Sequence, residues 1–275
     1  MKHPKQSYAL ITGAGRGLGL AFALECAHRG KSLILLDLDS ERLEALRAYV
    51  QEQYPIEVIT QVVDLTDMEQ LEQIVYPLIH NYVVEWLINN AGMGGTARFE
   101  DTSPSQLDRL VQLNVRACVL LARAVLPAML VRQRGLILNI ASIAAFAPVP
   151  YKMIYPASKA FLLSFTQGLQ EEYRDTAICI SSVHPGPIWT SFDAARRAMT
   201  QGWVGVQTTQ TARQIASKSL DAGLRGRRMI IPGWLNKVQY ILARLLPTPV
   251  YLRLSGGMIK KELADRRRQG LEQNM

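Results

Sequence analysis

A short apolar run, Tyr8-Ala9-Leu10-Ile11-Thr12, ends in the glycine cluster Gly13-Ala14-Gly15-Arg16-Gly17-Leu18-Gly19, and a helical pattern follows from Leu18 to His28. A strand that breaks at glycines and re-enters as a helix can turn tightly. It also brings backbone N–H groups close to an anion at the helix N-terminus. The generic G-x-G-x-x-G spacing is not met, because Leu18 holds the third glycine position; the spacing present is Thr12-Gly13-x-x-x-Gly17-x-Gly19. Placed in a first strand–helix unit, this loop is read as a phosphate cradle and not as an ordinary turn.

The same alternation continues. Leu33–Leu36 ends at Asp37, and Ser40 can cap a helix carrying Leu43, Leu46 and Val50. Val58–Val63 ends at Asp64, with Thr66 opening the next helix, and Trp86-Leu87-Ile88 ends in Asn89-Asn90-Ala91-Gly92. A long helix is expected from about 105 to 130, a strand at Leu136–Ile140, a helix over 155–173 and a strand at Ile178–Val183 closed by Pro185-Gly186. Arg228–Ile231 can supply a seventh strand. The strands are continuously apolar, as doubly covered parallel strands should be. No run of about 18 apolar residues occurs, so no spanning helix is expected, and the N-terminal apolar run is too short for a secretory leader.

The three cysteines, Cys26, Cys118 and Cys179, lie far apart in apolar stretches. They suggest neither a disulfide framework nor a metal site, and a reducing cytoplasm is expected. The formal net charge is +8, but residues 1–195 carry 16 basic and 19 acidic side chains, whereas 196–275 carry 15 and 4. The positive excess is thus local to the last third. No aromatic-interleaved basic strand or zinc spacing speaks for nucleic acid; an anionic membrane surface or an anionic substrate suits the tail at least as well.

Candidate chemistry gathers at strand ends, where open parallel sheets place ligands. Asp37, at the end of the second strand, can accept hydrogen bonds from adenosine ribose hydroxyls. Tyr155 and Lys159 are four apart on an expected helix and share a face. With 10 Tyr and 9 Lys in the chain, about 0.3 such pairs arise by chance, so their company matters. That company is Ser142 after the fifth strand and Asn114 in mid-helix, a poor helix position that asks for a reason. A phenol exchanges its proton poorly at neutral pH, but a nearby ammonium and a cationic nicotinamide favour the phenolate. Ser142 would hold a substrate oxygen.

With these pieces in this order, the chain resembles the classical short-chain dehydrogenase/reductase family over nearly its whole length. The matching residues are Thr12–Gly19, Asp64, Asn89–Gly92, Asn114, Ser142, Tyr155-Pro156-Ala157-Ser158-Lys159 and Pro185-Gly186-Pro187-Ile188-Trp189-Thr190. The resemblance implies an α/β, Rossmann-like three-layer sandwich with a doubly wound, parallel, seven-stranded sheet. It also implies NAD(P)-dependent carbonyl/alcohol interconversion on CH–OH groups. Tyr155 would be the general acid/base, Lys159 would hold the ribose and favour the phenolate, Ser142 would orient the substrate, and Asn114 would support a water relay through the lysine. Cofactor contacts are expected from Gly13, Gly15, Arg16, Gly17, Leu18, Gly19, Asp37, Asp64 (adenine), Leu65, Asn90, Ala91, Gly92, Pro185, Gly186, Ile188 and Thr190 (carboxamide), together with Tyr155 and Lys159. Arg16 suits a 2′-phosphate, whereas Asp37 would repel one; NAD is therefore favoured over NADP.

The stretch from Pro187 to about Gln207 corresponds to the family's variable substrate region. A hydrophobic pocket is expected from Met93, Ser142, Met153, Trp189, Phe192 and Trp203, with Phe146 and Ile154 nearby and Lys152 as its only basic wall residue. A lipid- or steroid-like alcohol or ketone follows as the substrate. The alternatives are a 3-oxoacyl thioester reductase and a non-catalytic NAD(H)-sensing regulator. Residues 1–232 are read as the dinucleotide-binding and catalytic domain, and 233–275 as a basic, partly amphipathic helical extension of it. In that extension Leu235, Val238, Ile241, Leu242, Leu245 and Leu246 recur at helical spacing before Pro247. Peripheral contact with an anionic membrane is one expectation for 233–275, and a solvated cover on the domain the other. The resemblance also implies a homodimer or homotetramer packed through the helices near 105–130 and 155–173.

Overall fold

The computed structural model describes residues 6–152, 154–186, 188–189 and 210–268. The elements run β1 (Tyr8–Thr12), α1 (Gly17–His28), β2 (Ser32–Asp37), α2 (Ser40–Gln53) and β3 (Val58–Val62). A helical run α3 follows, built of Met68–Gln70, a π-helical turn Leu71–Val75 and Tyr76–Asn81. Then come β4 (Val84–Asn89), α4 (Pro104–Arg132), β5 (Gly135–Ile140), a 3₁₀ turn at Ile143–Phe146, α5 (Tyr155–Glu172) and β6 (Ile178–Val183). The chain closes with α6 (Ala212–Leu224), β7 (Met229–Ile230), α7 (Trp234–Leu245) and α8 (Thr248–Arg268). The strands form one parallel sheet in the order 3-2-1-4-5-6-7, so the seventh strand forms as expected at the β6 edge.

Alternate residues of each strand feed opposite layers. Ile11, Leu35 and Leu138 pack under α1, α2 and α6, whereas Leu10, Ile34 and Ile137 pack under α3 and α4. Strand order reverses between β1 and β4. The loops after those two strands therefore diverge and leave a crevice at their carboxyl ends.

Local signals set most helix starts, with small shifts. Asp39, not Ser40, caps α2, accepting from the Arg42 amide at 3.1 Å. Asp67, not Thr66, caps α3. A Ser103/Gln106 capping box with Pro104 starts α4. By length and composition α4 could cross a membrane, where no such segment is expected from the sequence. Its composition has another cause here: a stripe of Ala117, Leu121, Val125 and Met129 is buried on the sheet. The cysteines are free thiols, with Cys26 and Cys118 buried.

Candidate active site

The crevice is built first from the glycines. Gly13 and Gly17 have φ of +65° and +57°, a left-handed conformation costly for residues bearing a Cβ. Gly19 has no room for one either: a Cβ would lie 1.9 Å from the Gly13 carbonyl oxygen. Thr12 Oγ1 accepts from the amides of Asn90 (3.0 Å) and Ala91 (2.9 Å). The Asn90 carboxamide donates to the carbonyls of Thr12 (2.9 Å) and Gly13 (3.1 Å). The loops after β1 and β4 are thereby locked together across the switch point.

A cleft of about 600 Å³ opens above them. Its walls include Gly13, Arg16, Gly17, Leu18, Asp37, Asp64, Leu65, Asn90, Ala91, Gly92 and Met93, as the sequence leads one to expect. Gly15 and Gly19 are not on that wall; they shape it. The Gly15 amide is spent on Asp37 Oδ2 (2.8 Å), and Gly19 lets α1 approach β1. Asp37 also accepts from the Asp39 amide at 3.1 Å, so its carboxylate is aimed before any ligand arrives. Arg16 is exposed at the N-cap of α1. Asp64 Oδ1 accepts from the Thr66 amide (2.9 Å) and hydroxyl (2.7 Å), and Oδ2 pairs with Arg109 at 2.8 Å. Burial works to raise its carboxyl, but those hydrogen bonds and the Arg109 guanidinium together hold it below the usual range. These features fit an adenine dinucleotide: left-handed glycines at a helix N-terminus, a carboxylate on the cleft wall at the end of β2 and a cleft of adequate size.

Behind Gly92, which borders the cleft and whose Cβ would lie 3.3 Å from Lys159 Nζ, stands the candidate proton-handling group. Tyr155 is the first residue of α5 and Lys159 lies one turn on. Lys159 is 4% exposed, donates to the Ile140 carbonyl at 2.8 Å, and holds its Nζ 5.7 Å from the Tyr155 ring centroid. Among the described residues that is its one hydrogen bond, which leaves ammonium protons for ribose hydroxyls. Ser142 Oγ accepts from the Ala144 amide at 3.1 Å, which leaves its own proton free to donate to a substrate oxygen. Asn114 lies in a π-helical turn, Gln112–Ala117, within α4. Its Oδ1 accepts from Met93 N (2.9 Å), and its Nδ2 donates to Met93 O (2.8 Å) and Ser158 Oγ (3.0 Å). The side chain ties the loop after β4 to α5, holding Gly92 beside Lys159. That is the reason the mid-helix asparagine asked for.

Three further residues carry no motif in the sequence. Gly94 lies against the Tyr155 ring, where a Cβ would sit 2.8 Å from Cδ2. Asn236, from α7, is 1% exposed and packs on Gly186, whose Cβ would meet its Oδ1 at 2.2 Å. His184 is fully buried, with Nδ1 3.0 Å from the Ser142 carbonyl and Nε2 3.0 Å from Ser182 Oγ. A carbonyl only accepts, so the neutral ring carries its proton on Nδ1 and takes the Ser182 hydroxyl at Nε2. Burial pushes this imidazole from 6.5 down to about 4; the Ser142 hydrogen bond opposes that, and the Lys159 charge adds to it.

A pH dependence follows. Between pH 6.5 and about 4 the unfolded chain takes up a proton at His184 that the folded chain refuses. This contribution to stability is complete above 6.5 and falls as pH drops toward 4, by roughly 3 kcal/mol at the acid end. Thermal unfolding of wild type and His184→Gln across that window checks it. The variant should lose stability less steeply on acidification, and an identical slope would refute the assignment.

Of the expected pocket residues, Met93 lines the cleft and Ser142 stands beside the Tyr155 helix. Phe146 instead packs between His184 (4.6 Å) and Tyr240 (4.5 Å), and Lys152 donates to Thr96 Oγ1 at 2.5 Å. The backbone at Ile188–Trp189 pairs with Gln210–Thr211. Met153, Thr190, Phe192 and Trp203 lie outside the described residues.

A family model described as short chain dehydrogenase matches residues 7–201. The very-long-chain 3-oxoacyl-CoA reductase of Anas platyrhynchos is 33% identical over 183 residues, which is 65% of this chain and 59% of that protein. The 17-beta-hydroxysteroid dehydrogenase type 3 of Homo sapiens is 33% identical over 217 residues, covering 78% of this chain and 67% of that one. Among solved structures, a short-chain dehydrogenase from Sphingobium yanoikuyae in complex with NADPH superposes with a TM-score of 0.75 at 29% identity, covering 98% of this chain and 96% of that chain.

Proposed function

The chain belongs to the short-chain dehydrogenase family of NAD(P)-dependent oxidoreductases, and from that premise we propose that it interconverts a secondary alcohol and a ketone on a hydrophobic, lipid- or steroid-like substrate. The observation that carries this reading is the pairing of Tyr155 with a buried Lys159 that lies against Gly92 on the wall of a dinucleotide-sized cleft, with a nearby Ser142 whose hydroxyl proton has no acceptor among the described residues. The chemistry such a cofactor supplies when bound is hydride transfer to or from the carbonyl carbon. The chain's own residues handle the proton. In reduction Tyr155 gives its proton to the substrate oxygen while Ser142 donates a hydrogen bond to the same atom. Lys159 compensates the charge left on the phenolate, and Asn114 keeps the Met93 loop in register with α5. Reduction of a 3-oxoacyl thioester is a second reading, favoured by the name of the Anas relative, and would use the same residues. A homodimer or homotetramer built on α4 and α5 belongs to this proposal, supported by exposed Val111, Val131 and Phe161 on those helices.

NAD is the proposed cofactor. The Asp37 carboxylate stands on the cleft wall at the end of β2, where it would accept ribose hydroxyls and repel a 2′-phosphate. The neighbouring side chain is the exposed Leu38, not a cation. The test is a panel of bulky ketones and secondary alcohols, with kcat/KM measured for both cofactors. Turnover with at least a tenfold preference for NAD(H), about 1.4 kcal/mol, is expected. A tenfold preference for NADP(H) would overturn the cofactor assignment. Binding of NAD(H) without turnover on the whole panel would favour a nucleotide-sensing regulator.

A further inference from the structure

Helix α7 is built inside out. Toward the protein it turns Asn236, which is 1% exposed and donates to the Pro232 carbonyl at 2.7 Å, and Tyr240, which packs on Phe146. Toward solvent it turns Trp234, Val238, Ile241, Leu242 and Leu245, spaced i, i+4, i+7, i+8 and i+11 on one face. Trp234 is 69% exposed and Leu245 75%. After Pro247, α8 adds exposed Val250 and Leu254. A soluble helix ordinarily buries its apolar stripe; an outward stripe of this length marks a docking surface.

Charge decides what docks there. From residue 222 to residue 261 the chain carries eight Lys and Arg and no Asp or Glu. Lys237, Arg244, Arg253 and Lys260 on the two helices are exposed. A second copy meeting this face symmetrically would bring cation against cation. An anionic lipid surface would neutralise the cations while the apolar stripe enters the headgroup boundary, with the long basic side chains reaching back to the phosphates. We infer that α7 and the start of α8 form a peripheral, non-spanning docking face for anionic membranes. The inference does not depend on the substrate reading, because its test counts bound protein and not product. Asn236 on the opposite side of α7 packs on Gly186, so a docked helix would hold the loop after β6 close to the lipid.

Co-sedimentation of the full chain with vesicles tests this. One set contains equal parts phosphatidylcholine and phosphatidylserine, the other phosphatidylcholine alone. Binding to the anionic set is expected at about 50 mM salt, with roughly tenfold less at about 500 mM and comparably little on the neutral set. Two variants should each lose roughly tenfold at low salt: Trp234→Gln with Leu245→Gln, and Lys237→Gln with Arg244→Gln and Arg253→Gln. All five side chains are exposed, so circular dichroism should match wild type. Failure of wild type to sediment at low salt, or equal sedimentation with neutral vesicles, overturns the inference. So does light scattering without lipid that shows an oligomer dispersed by the Trp234→Gln/Leu245→Gln pair, since a second copy would then cover the face.

Discussion

Tyr155→Phe should lose between about 10² and 10⁴ of kcat, the usual worth of a positioned general acid/base, while cofactor affinity changes little. Phenylalanine keeps the ring that lies against Gly94 and near Lys159, so the helix start and the loop after β4 keep their packing. Only the hydroxyl is removed, and no other titratable side chain stands in its place on α5 before Lys159. The measurement is steady-state turnover on a substrate found in the panel, paired with nicotinamide fluorescence for binding. A variant that turns over like wild type would remove Tyr155 from the reaction. One that neither binds nor turns over would instead assign the residue to the cofactor site.

The second large effect belongs to Gly19. An added methyl would lie 1.9 Å from a backbone oxygen, that of Gly13, and 2.7 Å from the Asn90 carboxamide nitrogen. Backbone cannot swing away as a flexible side chain can, so α1 must move off β1 or the phosphate loop must open. Overpacking of this kind costs about 1–3 kcal/mol or more. Gly19→Ala is therefore expected to lower Tm by several degrees, roughly 2–4 °C per kcal/mol for a domain of this size, and to abolish measurable dinucleotide binding. Gly168→Ala is the control. A Cβ there meets nothing within 4 Å, and a helix-interior alanine should be neutral or stabilising by up to about 1 kcal/mol. Equal behaviour of the two variants would refute this account of the loop.

The cleft was the most legible part of the candidate site, because its makers are local. Gly13 and Gly17 are glycines on account of their own φ, Asp37 ends β2, and Asp64 lies two residues past β3, so both acids follow strands that are visible without any partner. Asn114 was legible only as an anomaly: its partners Met93 and Ser158 lie 21 and 44 positions away. For Gly15 and Gly19 the chain alone does not say which amide the Asp37 carboxylate takes or which carbonyl α1 must pass, and the fold supplies both. His184 and Gly94 belong to no spacing rule; nothing local distinguishes a histidine that props Ser142 from one exposed on a loop.

The C-terminal helices divide the two sources of information most clearly. Periodicity alone determined that residues 235–246 form a helix with one apolar stripe, because side-chain spacing of 3.6 residues per turn is a property of the helix itself. It equally determined the parallel strand–helix alternation, the phosphate loop and the shared face of Tyr155 and Lys159. Only the tertiary structure decided which way the stripe of α7 points, and it points outward, because Asn236 and Tyr240 pack on Gly186 and Phe146 on the body of the protein. A helical pattern sets the angle between two faces; which face is buried depends on the surface it meets, and that surface is made by residues far away in the chain.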